Sequence, residues 1–130
     1  MAGNPVTFPS NTEEGLAQLR HVMAGLATVT TAGGVAAILN PLGKELLITR
    51  TIMDVTTAAT GAATVDVGVA ANATTSDDAL LDGQDVNSAT GMFASTTLVK
   101  WPATGYVTAS QATGAVAGLV GTLHVEYIRA

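Results

Sequence analysis

The 130-residue chain has ten acidic and five basic side chains, two histidines and no cysteine, which gives a net charge of −5 at neutral pH. The absence of cysteine excludes disulfides and thiol chemistry. The basic residues are spread along the sequence, and nucleic acid and anionic membranes attract proteins through basic patches. We therefore expect neither as the main partner. The basic residues are Arg20, Lys44, Arg50, Lys100 and Arg129.

The composition favours thin, closely packed β-sheets in a single domain. Hydrophobic residues make up 48% of the chain but aromatic residues only 4%, so a large ligand pocket is not expected. Charged residues make up 12%, about half the usual share of a soluble domain. This predicts that other protein subunits cover part of the surface. A water-facing surface rich in threonine is the alternative.

Residues 1–11 are predicted to form an extended arm, because Pro5 and Pro9 disfavour helix and remove two backbone donors. Val6 and Phe8 lie between the prolines, and exposing these apolar side chains to water would be unfavourable. We predict that Val6, Phe8 and Pro9 bind a neighbouring subunit. An arm that folds back on its own domain, or a frayed terminus, is the alternative.

A short helix over residues 11–23 is predicted next, from a capping-box pattern between Ser10 and Glu13 and from helically spaced apolar residues. Residues 1–24 thus precede a single β-sandwich domain at 25–130. The N-terminus lacks the features of a secretory signal. The apolar segment 26–39 is too short and too broken by threonine and glycine to span a bilayer.

From residue 26 onward, Val- and Thr-rich segments alternate with glycine, proline and asparagine turns. Turn signals every 8–12 residues are typical of a β-sandwich or jelly roll. We therefore predict an all-β, jelly-roll-like antiparallel β-sandwich. A long strand at 45–57 carries apolar residues on both faces, which predicts a central strand covered on both sides. The other predicted strands are 26–31, 35–39, 63–69, 80–86, 92–93, 97–101, 106–110 and 119–128.

The residues needed for catalysis are mostly missing. Nucleophilic catalysis requires a nucleophile, a base and an orienting group, and the chain has only His21 and His124 as candidate bases. Both histidines are predicted to be structural. No glycine-rich phosphate loop occurs. We predict no catalytic residues, no cofactor and no enzymatic activity.

Asp77, Asp78, Asp82 and Asp85 form the one carboxylate cluster. Closely spaced oxygen ligands can hold Ca²⁺, but this spacing does not match an EF-hand loop. Aspartate also favours turns, because its side chain accepts hydrogen bonds from nearby backbone. We favour turn residues over a calcium site and predict no metal.

Trp101 precedes Pro102 at the end of a predicted strand. It is a candidate partner-binding residue, because tryptophan is enriched at interface hot spots. A tryptophan that fills the core is the alternative, and the favoured one.

Two segments carry a family resemblance: residues 52–69, and residues 101–121 with 124–128. In both, alanine, threonine, glycine and valine lie between tight turns. Over about residues 46–130 the chain resembles small β-sandwich virion proteins of tailed bacteriophages, some of which are head decoration or cement proteins. The resemblance implies a structural protein that is assembled in the host cytoplasm and stabilises the outer surface of a phage head. It also implies major capsid protein subunits as partners and a trimer as the oligomeric state.

A second function class remains open at this point. A tail, fibre or head-fibre module that recognises a host surface glycan would have a similar fold. Such a module should expose a cluster of aromatic residues in a loop, and the sequence lacks one. A small enzyme is a third class, disfavoured by the missing catalytic residues.

Overall fold

The computed structural model describes residues 19–88 and 90–130, and in these ranges the chain forms nine β-strands in two antiparallel sheets. The predicted all-β sandwich is confirmed. The predicted arm lies outside the described residues, and the predicted division into residues 1–24 and 25–130 stays a prediction. The strands are β1 Arg20–Gly25, β2 Ala36–Leu39, β3 Leu46–Thr57, β4 Ala63–Ala70, β5 Leu81–Asp85, β6 Gly91–Ser95, β7 Val99–Trp101, β8 Tyr106–Gly114 and β9 Val120–Arg129.

The first sheet has the order β1-β9-β3-β6, and β7 pairs with β3 beside β6. The second sheet has the order β2-β8-β4-β5. Successive strands along the chain therefore often lie in different sheets, as expected for a sandwich. Residues 19–88 and 90–130 contain no helix that is long and apolar enough to cross a membrane.

Strand β3 is central in the first sheet, and a bulge explains why both of its faces contain apolar residues. Its register with β9 shifts between Ile48 and Arg50. Ile48 points into the core before the bulge, and Thr51 and Met53 point into it after the bulge. One extra residue thus reverses the alternation of the strand. The core residues of β3 fall on both sequence phases because of this reversal, while Leu47 and Ile52 are half-buried on the outward side.

The core lies between the two sheets and is built largely from valine, leucine and isoleucine. Trp101 is fully buried there. Its ring meets Tyr127 edge-on at 5.9 Å between centroids, and its Nε1–H donates to the Gly105 carbonyl oxygen at 2.9 Å. A buried indole needs such an acceptor.

Three predicted elements are corrected by the structure. The helix predicted to reach residue 23 is wrong over 20–23, because β1 pairs there with β9. The alternation of half-buried and exposed residues along β1 suits a strand, and pairing overrides the weak helical spacing. The predicted strand 26–31 does not form, although Ala27 N–H donates to the Val35 carbonyl. The predicted strand 106–110 is longer than expected, because β8 continues to Gly114 and shortens the loop before β9.

Candidate partner-binding surface

The outward side of the first sheet, here called the open face, crosses β1, β9, β3 and β6. One row of paired residues runs from Met23 through His124 and Ile52 to Ala94. The next row ends at Met92 on β6. Met92 is 72% exposed and Met23 is 60% exposed. Methionine is flexible and polarisable, which makes exposed methionines adaptable contacts for a partner.

Charge on the open face is sparse. Arg50 and Glu126 lie on neighbouring strands and approach to 3.9 Å between Nε and Oε1, with side-chain exposures of 51% and 26%. A pair this exposed stabilises the fold by no more than about 1 kcal/mol. The open face is therefore a mixed surface in which apolar side chains surround a few charges, as in the cores of protein interfaces.

His21 and His124 meet on the same face. His21 Nε2 and His124 Nδ1 are 2.8 Å apart, and the ring planes differ by 18°. The ring centroids are 5.1 Å apart, which is too far for face-to-face contact and matches rings lying end to end. This is the in-line geometry of an N–H···N hydrogen bond between the two rings.

The outward side of the second sheet, here called the covered face, is packed under the loop at 71–80. Thr108 is fully buried on this side, and its hydroxyl donates to the Thr75 carbonyl oxygen at 2.8 Å. A carboxylate oxygen of Asp77 accepts from the backbone N–H groups of Val69 and Ala79, each at 3.1 Å. The chain thus covers the part of this face formed by β4 and β8 with its own backbone.

Gly68 permits this coverage. A Cβ built on Gly68 would lie 2.6 Å from the carbonyl carbon of Asp77 and 2.7 Å from its Cβ. Such distances are not tolerated without displacement of the loop. Glycine in strand β4 is thus required by the close approach of a second backbone segment.

The acidic cluster serves turns at two of its four positions. Asp77 secures the loop over the covered face. Asp85 accepts from the Ser88 hydroxyl at 2.6 Å and from the backbone N–H groups of Asn87 and Ser88. The Ser88 hydroxyl bond contributes most, and the two backbone bonds add to it, so the pKa of Asp85 lies below its usual value. Within residues 19–88 and 90–130, no group of three or more His, Cys, Asp or Glu side chains is placed to hold a metal ion.

The predicted partner-binding residues fall into two groups. Val6, Phe8 and Pro9 lie outside the described residues. Trp101 is the core residue that the favoured alternative predicts, and its buried side chain offers no surface to another subunit. The pairing of His21 with His124 was missed, because it depends on the register of β1 against β9 rather than on sequence spacing.

The basic residues are spread along the sequence, but three of them lie close together in the structure. Arg20, Lys44 and Arg129 line one cleft together with Leu42. They come from the start of β1, the turn before β3 and the end of β9. Antiparallel pairing of β9 with both β1 and β3 brings these three positions to one end of the sandwich.

Two antiparallel sheets packed face to face define the chain as an all-β sandwich protein. No protein-family model matches it, and no curated protein matches it. Among solved structures it is similar to a chain of the cyanophage Pam1 capsid asymmetric unit, with a TM-score of 0.59 and 16% sequence identity. The alignment covers 100% of this chain and 93% of the other. The likeness shows a shared fold over the whole length.

Proposed function

We propose that this protein is a structural component of a phage virion that binds capsid subunits. The observation that carries the proposal is the fold shared, over the full chain, with a chain of a cyanophage capsid asymmetric unit. The chain is rich in small residues and threonine and has few charges, which agrees with a surface partly covered by protein. The role is structural rather than catalytic.

We further propose a decoration function, in which the protein binds the outside of the head and stabilises it. The open face is the docking surface, because it exposes the apolar side chains of Met23 and Met92, whereas a loop of the chain covers β4 and β8 on the second sheet. A stable contact buries about 800 Å² per partner, an area that one face of a sheet can supply. A trimer that contacts several capsid subunits at once would add avidity without any new type of contact.

Binding explains how such a protein would strengthen a head. A ligand that binds the assembled lattice and not dissociated subunits stabilises it by RT ln(1 + [L]/Kd) per site, about 2.7 kcal/mol at a hundredfold excess over Kd. Many repeated sites make this contribution large for the whole particle.

The test uses heads assembled without this protein. Purified protein is added, bound protein is measured after sedimentation, and DNA release is followed on heating. Saturable binding and DNA release at a higher temperature would support decoration. Binding to host cells or to tails, with none to heads, would replace it by the receptor-binding alternative.

A further inference from the structure

The cleft lined by Arg20, Lys44 and Arg129, here called the basic cleft, concentrates positive charge on an otherwise acidic protein. Three of the five basic residues in the chain line it, while the chain has ten acidic residues. Like charges held close together repel, so such a cluster is unfavourable unless anions compensate it. The convergence therefore favours the binding of an anion if no carboxylate of the chain lies against these side chains.

Nearby carboxylates do not compensate the cleft within residues 19–88 and 90–130. The ion pair found there joins Arg50 to Glu126, on the open face. Glu45 follows Lys44 directly, and its backbone carbonyl accepts from Ala130 N–H, but its carboxylate forms no ion pair with the described residues. In addition, Arg20 Nε is buried and has no hydrogen-bond partner in this part of the chain. An unpaired buried donor is costly, so the guanidinium of Arg20 is not fully compensated by the described part of the chain.

The wall of the cleft is held in place before any ligand arrives. Asn40 is 4% exposed, and its Nδ2 donates to the carbonyl oxygens of Lys44 at 2.8 Å and Pro102 at 2.9 Å. Its Oδ1 accepts from the backbone N–H groups of Leu42 and Gly43, each at 3.0 Å. This side chain fixes the turn that presents Leu42 and Lys44, so binding does not have to order it.

We infer that the basic cleft binds a carboxylate-rich peptide segment of a neighbouring protein subunit. Two guanidinium groups and one ammonium group match carboxylates, which arginine binds through paired N–H donors. Leu42 is 38% exposed at the cleft and offers an apolar contact that a peptide can use. Three basic side chains are few for a nucleic acid, which proteins bind through a larger number of phosphate contacts.

Only the identity of the neighbouring subunit, a capsid protein, rests on the proposed function. The cleft itself can be tested without heads. A peptide of leucine followed by six glutamates, labelled for fluorescence anisotropy, is titrated with the full chain at low salt. A leucine-hexaglutamine peptide is the neutral control.

Lys44→Gln and Arg129→Gln alter exposed side chains, so both variants should fold, which their melting curves check. Each should weaken peptide binding about two- to fivefold, and the double variant about tenfold, since an exposed pair contributes about 0.2–1 kcal/mol. Arg50→Gln and Lys100→Gln remove the same charge outside the cleft and should change binding by less than about twofold.

Equal losses in the cleft and control variants, or no preference for the glutamate peptide, would refute the basic cleft as a carboxylate site. Tighter binding of an oligothymidylate than of the glutamate peptide would also refute it, in favour of nucleic acid. If the peptide binds as expected while heads are ignored, the inference stands and the proposed function fails. If heads bind with unchanged affinity in the double variant, the cleft is not a contact to the capsid.

Discussion

The two outer faces of the sandwich are built from similar strands, but a loop of the chain covers part of one face and leaves the other exposed. On the second sheet, Gly68 leaves space for the loop at 71–80, and Thr108 and Asp77 bind that loop by hydrogen bonds. On the first sheet, the corresponding surface exposes Met23 and Met92. On the second sheet, the chain thus covers β4 and β8 with its own backbone. The open face, by contrast, keeps apolar side chains available to another protein.

The largest expected effect is on the covered face. Gly68→Ala places a Cβ against Asp77 and should push the loop away, which overpacking data put at a loss of about 1–3 kcal/mol in the free energy of unfolding. Gly25→Ala is the matched control, because a Cβ on this glycine of β1 meets nothing within 4 Å. Urea denaturation of both variants measures the difference. Equal stabilities would show that the loop does not close the face.

A smaller loss is expected when one hydrogen bond to the loop is removed. Thr108→Val keeps the shape of the side chain but leaves the Thr75 carbonyl without its donor. The free energy of unfolding should fall by about 1 kcal/mol. Thr122→Val, on the open face, removes a hydroxyl from a half-buried position and serves as the control. A loss as large in Thr122→Val as in Thr108→Val would contradict the assigned role of Thr108.

The histidine pair sharpens the description of the open face. His124→Gln removes a hydrogen bond at a partly exposed site and should lower the free energy of unfolding by no more than about 1 kcal/mol. The double variant His21→Gln/His124→Gln should lose less than the sum of the two single variants, since both remove the same contact. Strict additivity in this cycle would show that the two rings do not interact in solution.

The smallest effect concerns the turn at 85–88, beside the covered face. Because hydrogen bonds lower the pKa of Asp85 in the folded state, its contribution to stability is present above the unfolded pKa and is lost as pH falls through the folded pKa. Asp85→Ala should therefore be less stable than the parent at neutral pH, and the two should converge in acid. Melting temperatures from neutral pH down to strong acid test this. A difference that is constant with pH would rule out the ionised carboxylate as the cause.

Much of the fold follows from local sequence patterns. The clean alternation of Ala63, Val65 and Val67 with polar residues predicts β4, and the glycine and proline turns place most of the remaining strands. The sequence pattern does not reveal the bulge in β3, because apolar residues at both odd and even positions also fit a strand whose two faces are both covered. Residues 20–23 fit both the helical and the strand periodicity, and only their pairing with β9 makes them a strand.

The candidate surfaces were less predictable than the strands. The open face, the histidine pair and the basic cleft all join residues that are distant in sequence and are brought together by strand order and register. His21 and His124 are 103 residues apart, for example. Composition predicts that other protein covers part of the surface, but it does not indicate which residues are covered. Trp101, the most conspicuous candidate in the sequence, fills the core instead.

The central claim is that the open face binds the capsid while the covered face does not. It is tested most directly by the occupancy of undecorated heads with Met23→Lys/Met92→Lys, compared with Leu39→Lys. Leu39 is 51% exposed on β2 of the second sheet, so its variant adds one positive charge there, where the double variant adds two on the open face. All variants should melt like the parent. The account predicts that the double variant loses most of its head binding and Leu39→Lys keeps it, whereas full occupancy by the double variant would contradict the claim.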